Sequence, residues 1–175
     1  MNSSTDQQAE PRTCGYSHAL DILRDLPLFS GVPLEVIKVL AYLAQKVTFA
    51  PGEALCDQGE PMDHCFAVLG GGVEVSRRAG EVETVLFRRG EGSFFGGLGL
   101  IASAKSLFTV RAVSETCCLI LDREKFLKTA ERFPDMLPKL LANVVHHVFR
   151  WEETFLRSHP EECVDRGAEM GLSLF

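Results

Sequence analysis

Cys65-Phe66-Ala67-Val68-Leu69-Gly70-Gly71-Gly72-Val73-Glu74-Val75-Ser76 is the stretch that decides the fold. An apolar run stops at a triple glycine, and an alternating apolar–polar run follows. Both halves read as short strands. Val82-Glu83-Thr84-Val85 alternates in the same way. Arg78-Ala79-Gly80-Glu81 lies between the two alternating stretches, so they are expected to form a hairpin.

The pattern extends in both directions from there. Val47-Thr48-Phe49, Ala54-Leu55-Cys56, Leu107-Phe108-Thr109-Val110 and Cys117-Cys118-Leu119-Ile120-Leu121 are further short apolar runs, punctuated by Pro51-Gly52, Gly59, Gly90 and Gly92. Roughly eight strands at turn-spaced intervals predict a sandwich or barrel. Helices flank them. Ala19, Leu20, Ile22 and Leu23 form a short stripe ending before Pro27, and Val36, Ile37, Leu40 and Leu43 form a second after Pro33. Asp122 is placed to cap a third helix carrying Phe126, Leu127 and Ala130. Pro134 breaks it, and a long helix is expected over about 135–158.

Composition bounds what such a fold does. The 175 residues are 46% apolar and 24% charged, which suits one globular domain with tails. The expected division is a flexible tail over 1–17, the domain over 18–158 and an acidic tail over 159–175. The net charge of −6 offers no general basic field for nucleic acid. No apolar run approaches the ~18 residues a membrane-spanning helix needs, and no signal peptide is visible, so the chain is expected to be cytoplasmic. Six cysteines without a C-x-x-C pair read as reduced thiols, not as a zinc or iron–sulfur site. Cys117 and Cys118, adjacent in a strand, should point to opposite faces. No nucleophile is paired with a base, so an enzyme is not expected.

The motifs are similar to those of cyclic-nucleotide-binding domains. Leu26-Pro27-Leu28-Phe29-Ser30-Gly31, Phe49-Ala50-Pro51-Gly52-Glu53-Ala54-Leu55, Gln58-Gly59-Glu60-Pro61, Leu69-Gly70-Gly71-Gly72-Val73, Gly90-Glu91-Gly92-Ser93-Phe94-Phe95-Gly96, Thr109-Val110-Arg111-Ala112 and Leu121-Asp122-Arg123-Glu124-Lys125-Phe126 follow the family's order. The resemblance covers roughly residues 20–158. It implies a mainly β fold: a catabolite-activator-like jelly-roll β-barrel bracketed by helices, with a long C-terminal helix.

It also implies a ligand site, and here the sequence departs. In the family a short helix after Phe-Gly-Glu cradles the cyclic phosphate, the Glu binds the ribose hydroxyl, and an Arg further on pairs with the phosphate. The candidate positions are Phe95, Gly96, Gly97, Leu98, Lys105 and Ser106, with Gly97 in place of the Glu and Ser106 in place of the Arg. Losing the phosphate pair costs roughly 2–5 kcal/mol and losing the sugar contact about 1.5–3 kcal/mol. Together that is on the order of 10³–10⁵ in affinity. No cofactor is therefore expected, cyclic nucleotide least of all by the usual Glu/Arg mode; haem is the alternative. The acidic stretch after Pro160 is too short for a helix-turn-helix module, so DNA binding is not expected.

The long helix carries Leu137, Leu141, Val144, Val148, Trp151 and Phe155 at spacings of four and three, the pattern of a helix–helix seam. A homodimer through these residues is expected, together with an unidentified protein partner. The extra apolar residues Leu140, Val145, Phe149 and Leu156 suggest two apolar surfaces on the helix, one for the chain's own barrel and one for a partner. Laid over the family pattern, Trp151 falls at or beside the base-facing position, where it is expected to plug the barrel mouth or lie in the seam. His146 and His147 on the helix, and His64 beside Cys65, are possible ligands whose roles stay open. The function expected is a regulatory and interaction module; a small-molecule sensor acting on a separate output protein is the alternative.

Overall fold

The computed structural model describes residues 16–158. Helix α1 (Tyr16–Asp25), a 3-10 turn (Pro27–Phe29) and α2 (Leu34–Leu43) lead into ten strands: β1 (Gln45–Phe49), β2 (Ala54–Cys56), β3 (Pro61–Met62), β4 (His64–Gly70), β5 (Gly72–Ala79), β6 (Val82–Gly90), β7 (Phe94–Phe95), β8 (Ala104–Lys105), β9 (Thr109–Ala112) and β10 (Thr116–Asp122). Helix α3 (Gly97–Ile101) interrupts them between β7 and β8, and α4 (Arg123–Arg132) and α5 (Met136–Ser158) close the chain. The capping expectation holds: the Asp122 carboxylate accepts from the backbone N–H groups of Glu124 (2.8 Å) and Lys125 (3.2 Å).

Strand β4 is the hinge of the packing. Its apolar run is buried on both faces. Cys65, Ala67 and Leu69 pack with α1, α2, α4 and α5, around Phe126, Leu40 and Leu140. Phe66 and Val68 point the other way, onto Val73, Val75 and Val110 of the second sheet. The adjacent cysteines divide in the same sense, Cys117 toward the helical cluster and Cys118 into the inter-sheet one. The expected hairpin is also present, β5 pairing with β6 from Gly72↔Gly90 to Ala79↔Val82.

The closed jelly-roll barrel is not formed, and the molecule is not mainly β. Two open four-stranded antiparallel sheets, in the orders β1-β10-β4-β7 and β2-β9-β5-β6, face each other, with the small pair β3-β8 beside them. The expected barrel fails because, among the described residues, no strand pairing joins the two large sheets. β7 has two residues, and β6 pairs with β5 alone and is exposed along its length. More of the described residues lie in helices than in strands, so the architecture is mixed α and β with a long C-terminal helix.

Among the described residues helix α5 is anchored to the body near its start, and Glu152 is a further buried position toward its end. Met136 and Leu140 are fully buried, and the Asn143 side-chain amide donates to the carbonyls of Leu28 and Ser30, both at 2.9 Å. Beyond that clamp the helix is mostly exposed. Leu141, Val145, Phe149, Trp151 and Leu156 are uncovered, while Val144, Val148 and Phe155 are half-buried. Leu140 therefore faces the body, whereas Val145, Phe149 and Leu156 are exposed.

Candidate functional site

The segment from Phe94 to Ser106 joins β7, α3 and β8. Gly96 opens α3 at φ +79, and a Cβ there would overlap the carbonyl oxygen of His64. The short helix thus sits directly on the start of β4. Gly97, where the family's Glu was expected, lies equally close to its neighbours. A Cβ there would fall 2.6 Å from Phe94 Cε1 and 3.0 Å from Leu28 Cδ2. The anchor is missing, and the space where its first carbon would stand is taken up by packing.

Ser106 is committed to the fold in the same way. It is buried, its N–H donates to Glu60 O (2.8 Å), and its carbonyl accepts from Gly59 N–H (2.8 Å). Its hydroxyl donates to Phe108 O at 2.6 Å, accepts from Phe108 N–H at 3.4 Å and lies 3.8 Å from the Cys56 sulfur. All of this ties the β8–β9 link down and leaves the side chain turned inward. Lys105 is exposed on β8 opposite Pro61. Phe95 is half-buried and packs against the inter-sheet cluster, as Phe108 does, and Leu98 is exposed.

Trp151 does not enter the space between the sheets. It is 58% exposed on α5, stacked on Phe155 with ring centroids 5.5 Å apart. Phe49, Phe66 and Leu55 fill the inter-sheet core instead. His64 sits between carboxylates, Nδ1 against Asp63 and Nε2 3.5 Å from Asp122, and so ties the start of β4 to the end of β10. Among the described residues no group of three or more His, Cys, Asp or Glu is placed to hold a metal ion. None of their helices is long and apolar enough to cross a membrane.

His146 and His147 lie in a crevice with Phe94, Gly97 and Leu98, on the helical side of α3. Neither this crevice nor the Asn143 clamp was signalled in the sequence. An Asn within a helix has no periodicity to betray a partner more than a hundred residues away.

Burial pushes the thiols of Cys65 and Cys118 up to about 12. Only the thiolate reacts. At pH 8 these two should label with a disulfide reagent roughly 10³-fold more slowly than an ordinary thiol of pKa about 8.5. Residue-resolved mass spectrometry checks this, and labelling at the ordinary rate in the folded protein would contradict the packing described.

The chain matches the cyclic nucleotide-binding domain over residues 46–133, and it belongs to that family. Among its relatives, potassium channel KOR1 of Oryza sativa subsp. japonica is 33% identical over 63% of this chain and 13% of the channel. The CRP-like cAMP-activated global transcriptional regulator of Mycobacterium tuberculosis is 26% identical over 69% of this chain and 54% of the regulator. The chain thus spans only part of either relative. The N-terminal domain of a transcriptional regulator from Streptomyces coelicolor A3(2) superposes with a TM-score of 0.69 at 26% identity, covering 76% of this chain and 96% of that domain. The chain is therefore a regulatory and signalling module of the cyclic-nucleotide-binding type, related to the domains of transcriptional regulators and potassium channels. Its open sheets correct the barrel part of the expected likeness.

Proposed function

We propose that this module regulates through protein contacts as a homodimer joined along α5, and that it does not take cyclic AMP through a Glu/Arg pair. One observation carries the reading. The two anchor positions hold Gly97, packed against Phe94 and Leu28, and Ser106, whose hydroxyl is already engaged by Phe108. Without a carboxylate or a guanidinium there, a cyclic phosphodiester meets neither of its strongest partners. The exposed apolar residues Leu137 and Leu141, continued by Trp151, lie on the part of α5 turned from the body and suit a second copy of the same helix. The module itself does not contact nucleic acid, and its output passes to a separate protein.

Trp151 is the only tryptophan, so its emission reports α5 directly. No saturable change is expected on titration with cyclic AMP or cyclic GMP from micromolar to millimolar concentration, and calorimetry should show no heat of binding. The emission should move to the red on dilution, as the seam opens and the ring meets water. Saturation at micromolar nucleotide would falsify the reading. A small-molecule sensor is the second reading, favoured by the crevice beside His146 and His147; haem retained through purification would show itself by colour.

A further inference from the structure

The crevice between the 3-10 turn, α3 and α5 encloses about 580 Å³, within the range of small-molecule sites. Three segments distant in sequence build it. Leu28 lies on one side, Phe94 and Leu98 on another, and Val144 and Val148 on the helix. Its base is fixed in place. The Asn143 amide holds α5 to the carbonyls of Leu28 and Ser30, Phe94 packs edge-on against Phe29 with centroids 6.3 Å apart, and Gly97 lets α3 settle onto Phe94 and Leu28. At the mouth Leu98 is 62% exposed, a large aliphatic side chain on a wall that is otherwise half-buried.

Charge gives the occupant its second property. Among the described residues no Asp or Glu lines the crevice, whereas His146, His147 and Arg150 do. Glu153, one turn beyond on α5, is engaged by Arg157 at 2.8 Å, so that pair does not consume the Arg150 guanidinium. An apolar floor with the Arg150 guanidinium on one side is complementary to a molecule with an apolar body and an anionic head.

We propose that this crevice binds a small amphipathic carboxylate, with its chain against Leu28, Phe94 and Leu98 and its carboxylate at Arg150. The site needs neither a carboxylate at Gly97 nor a guanidinium at Ser106, because it lies on the helical side of α3 and not between the sheets. It goes beyond the dimer reading, and its test reads the crevice rather than the oligomeric state.

The test titrates the full methyl-labelled chain with decanoate below its micelle concentration, followed by methyl spectra and calorimetry. Saturable shifts are expected at Leu28 and Leu98, which lie outside the proposed seam, and none at Val73 and Val75 between the sheets. Leu98→Glu should abolish them. Arg150→Glu should weaken decanoate by about tenfold or more while leaving the neutral decanol unchanged. Shifts confined to Leu141 and Val145, shifts that do not saturate, or equal loss of decanoate and decanol on Arg150→Glu would each overturn the proposal. Should Leu98→Glu fail to fold, Arg150→Glu on the exposed rim decides alone.

Discussion

Val148→Glu is expected to turn the dimer into a monomer, seen as a halved mass in light scattering. Val148 sits at the centre of the stripe from Leu137 to Phe155, and a second helix laid along that stripe would bury it. An unpaired carboxylate in such a seam costs roughly 3–5 kcal/mol. That is about 10²–10⁴ in association constant, enough to dissociate a dimer of ordinary affinity. Arg157→Gln lies off the stripe and should leave the mass unchanged. A monomer mass for the unsubstituted protein refutes the dimer, and an unchanged dimer in Val148→Glu refutes the seam.

The second large effect concerns the body of the molecule. Phe126 is completely buried where α4 meets α2, β4 and β10, in the cluster that also holds Leu40, Leu121 and Leu140. Phe126→Ala should destabilise the fold by about 3–5 kcal/mol, because the ring's contacts are lost and the cavity collapses only in part. For a domain of this size that lowers Tm by roughly 6–20 °C. Leu127, the next residue, is exposed, and its alanine variant should stay within about 0.5 kcal/mol of the parent. Equal loss in the two variants would mean that α4 does not pack as described.

The strands, the hairpin and the Asp122 cap were legible because each is a local pattern: alternation, a glycine-bearing turn, an acceptor ahead of a helix. The family was legible from the order of its motifs. Closure of the sheets was not. Whether two sheets join depends on pairing between strands far apart in the chain, and the exposed run from Val82 to Gly90 reads the same in an open edge as in a closed barrel. The departure at the ligand site could be read from residue identity at Gly97 and Ser106. The packing that fills those positions could not, since Phe94, Leu28 and Phe108 meet them only in space. Trp151 was placed by register on a pattern whose helix need not sit at the same angle, and the ring stands outside the sheets.

The free edge of β6 has a consequence of its own. Its outer N–H and C=O groups face solvent beside Val82, Val85, Leu86 and Phe87, all of them exposed. A long apolar edge is a template on which another chain can add a strand, the first step toward aggregation. Charged gatekeepers stand within and just after that run: Glu83, bound by Arg78, then Arg88, paired with Glu74, and Arg89, whose guanidinium lies 4.6 Å over the Phe87 ring. Their like charges would be stacked in register in any ladder of identical strands. Neutralising Arg88 and Arg89 together is therefore expected to favour strand addition at this edge before it alters the fold, because the charges that interrupt the apolar run would be gone.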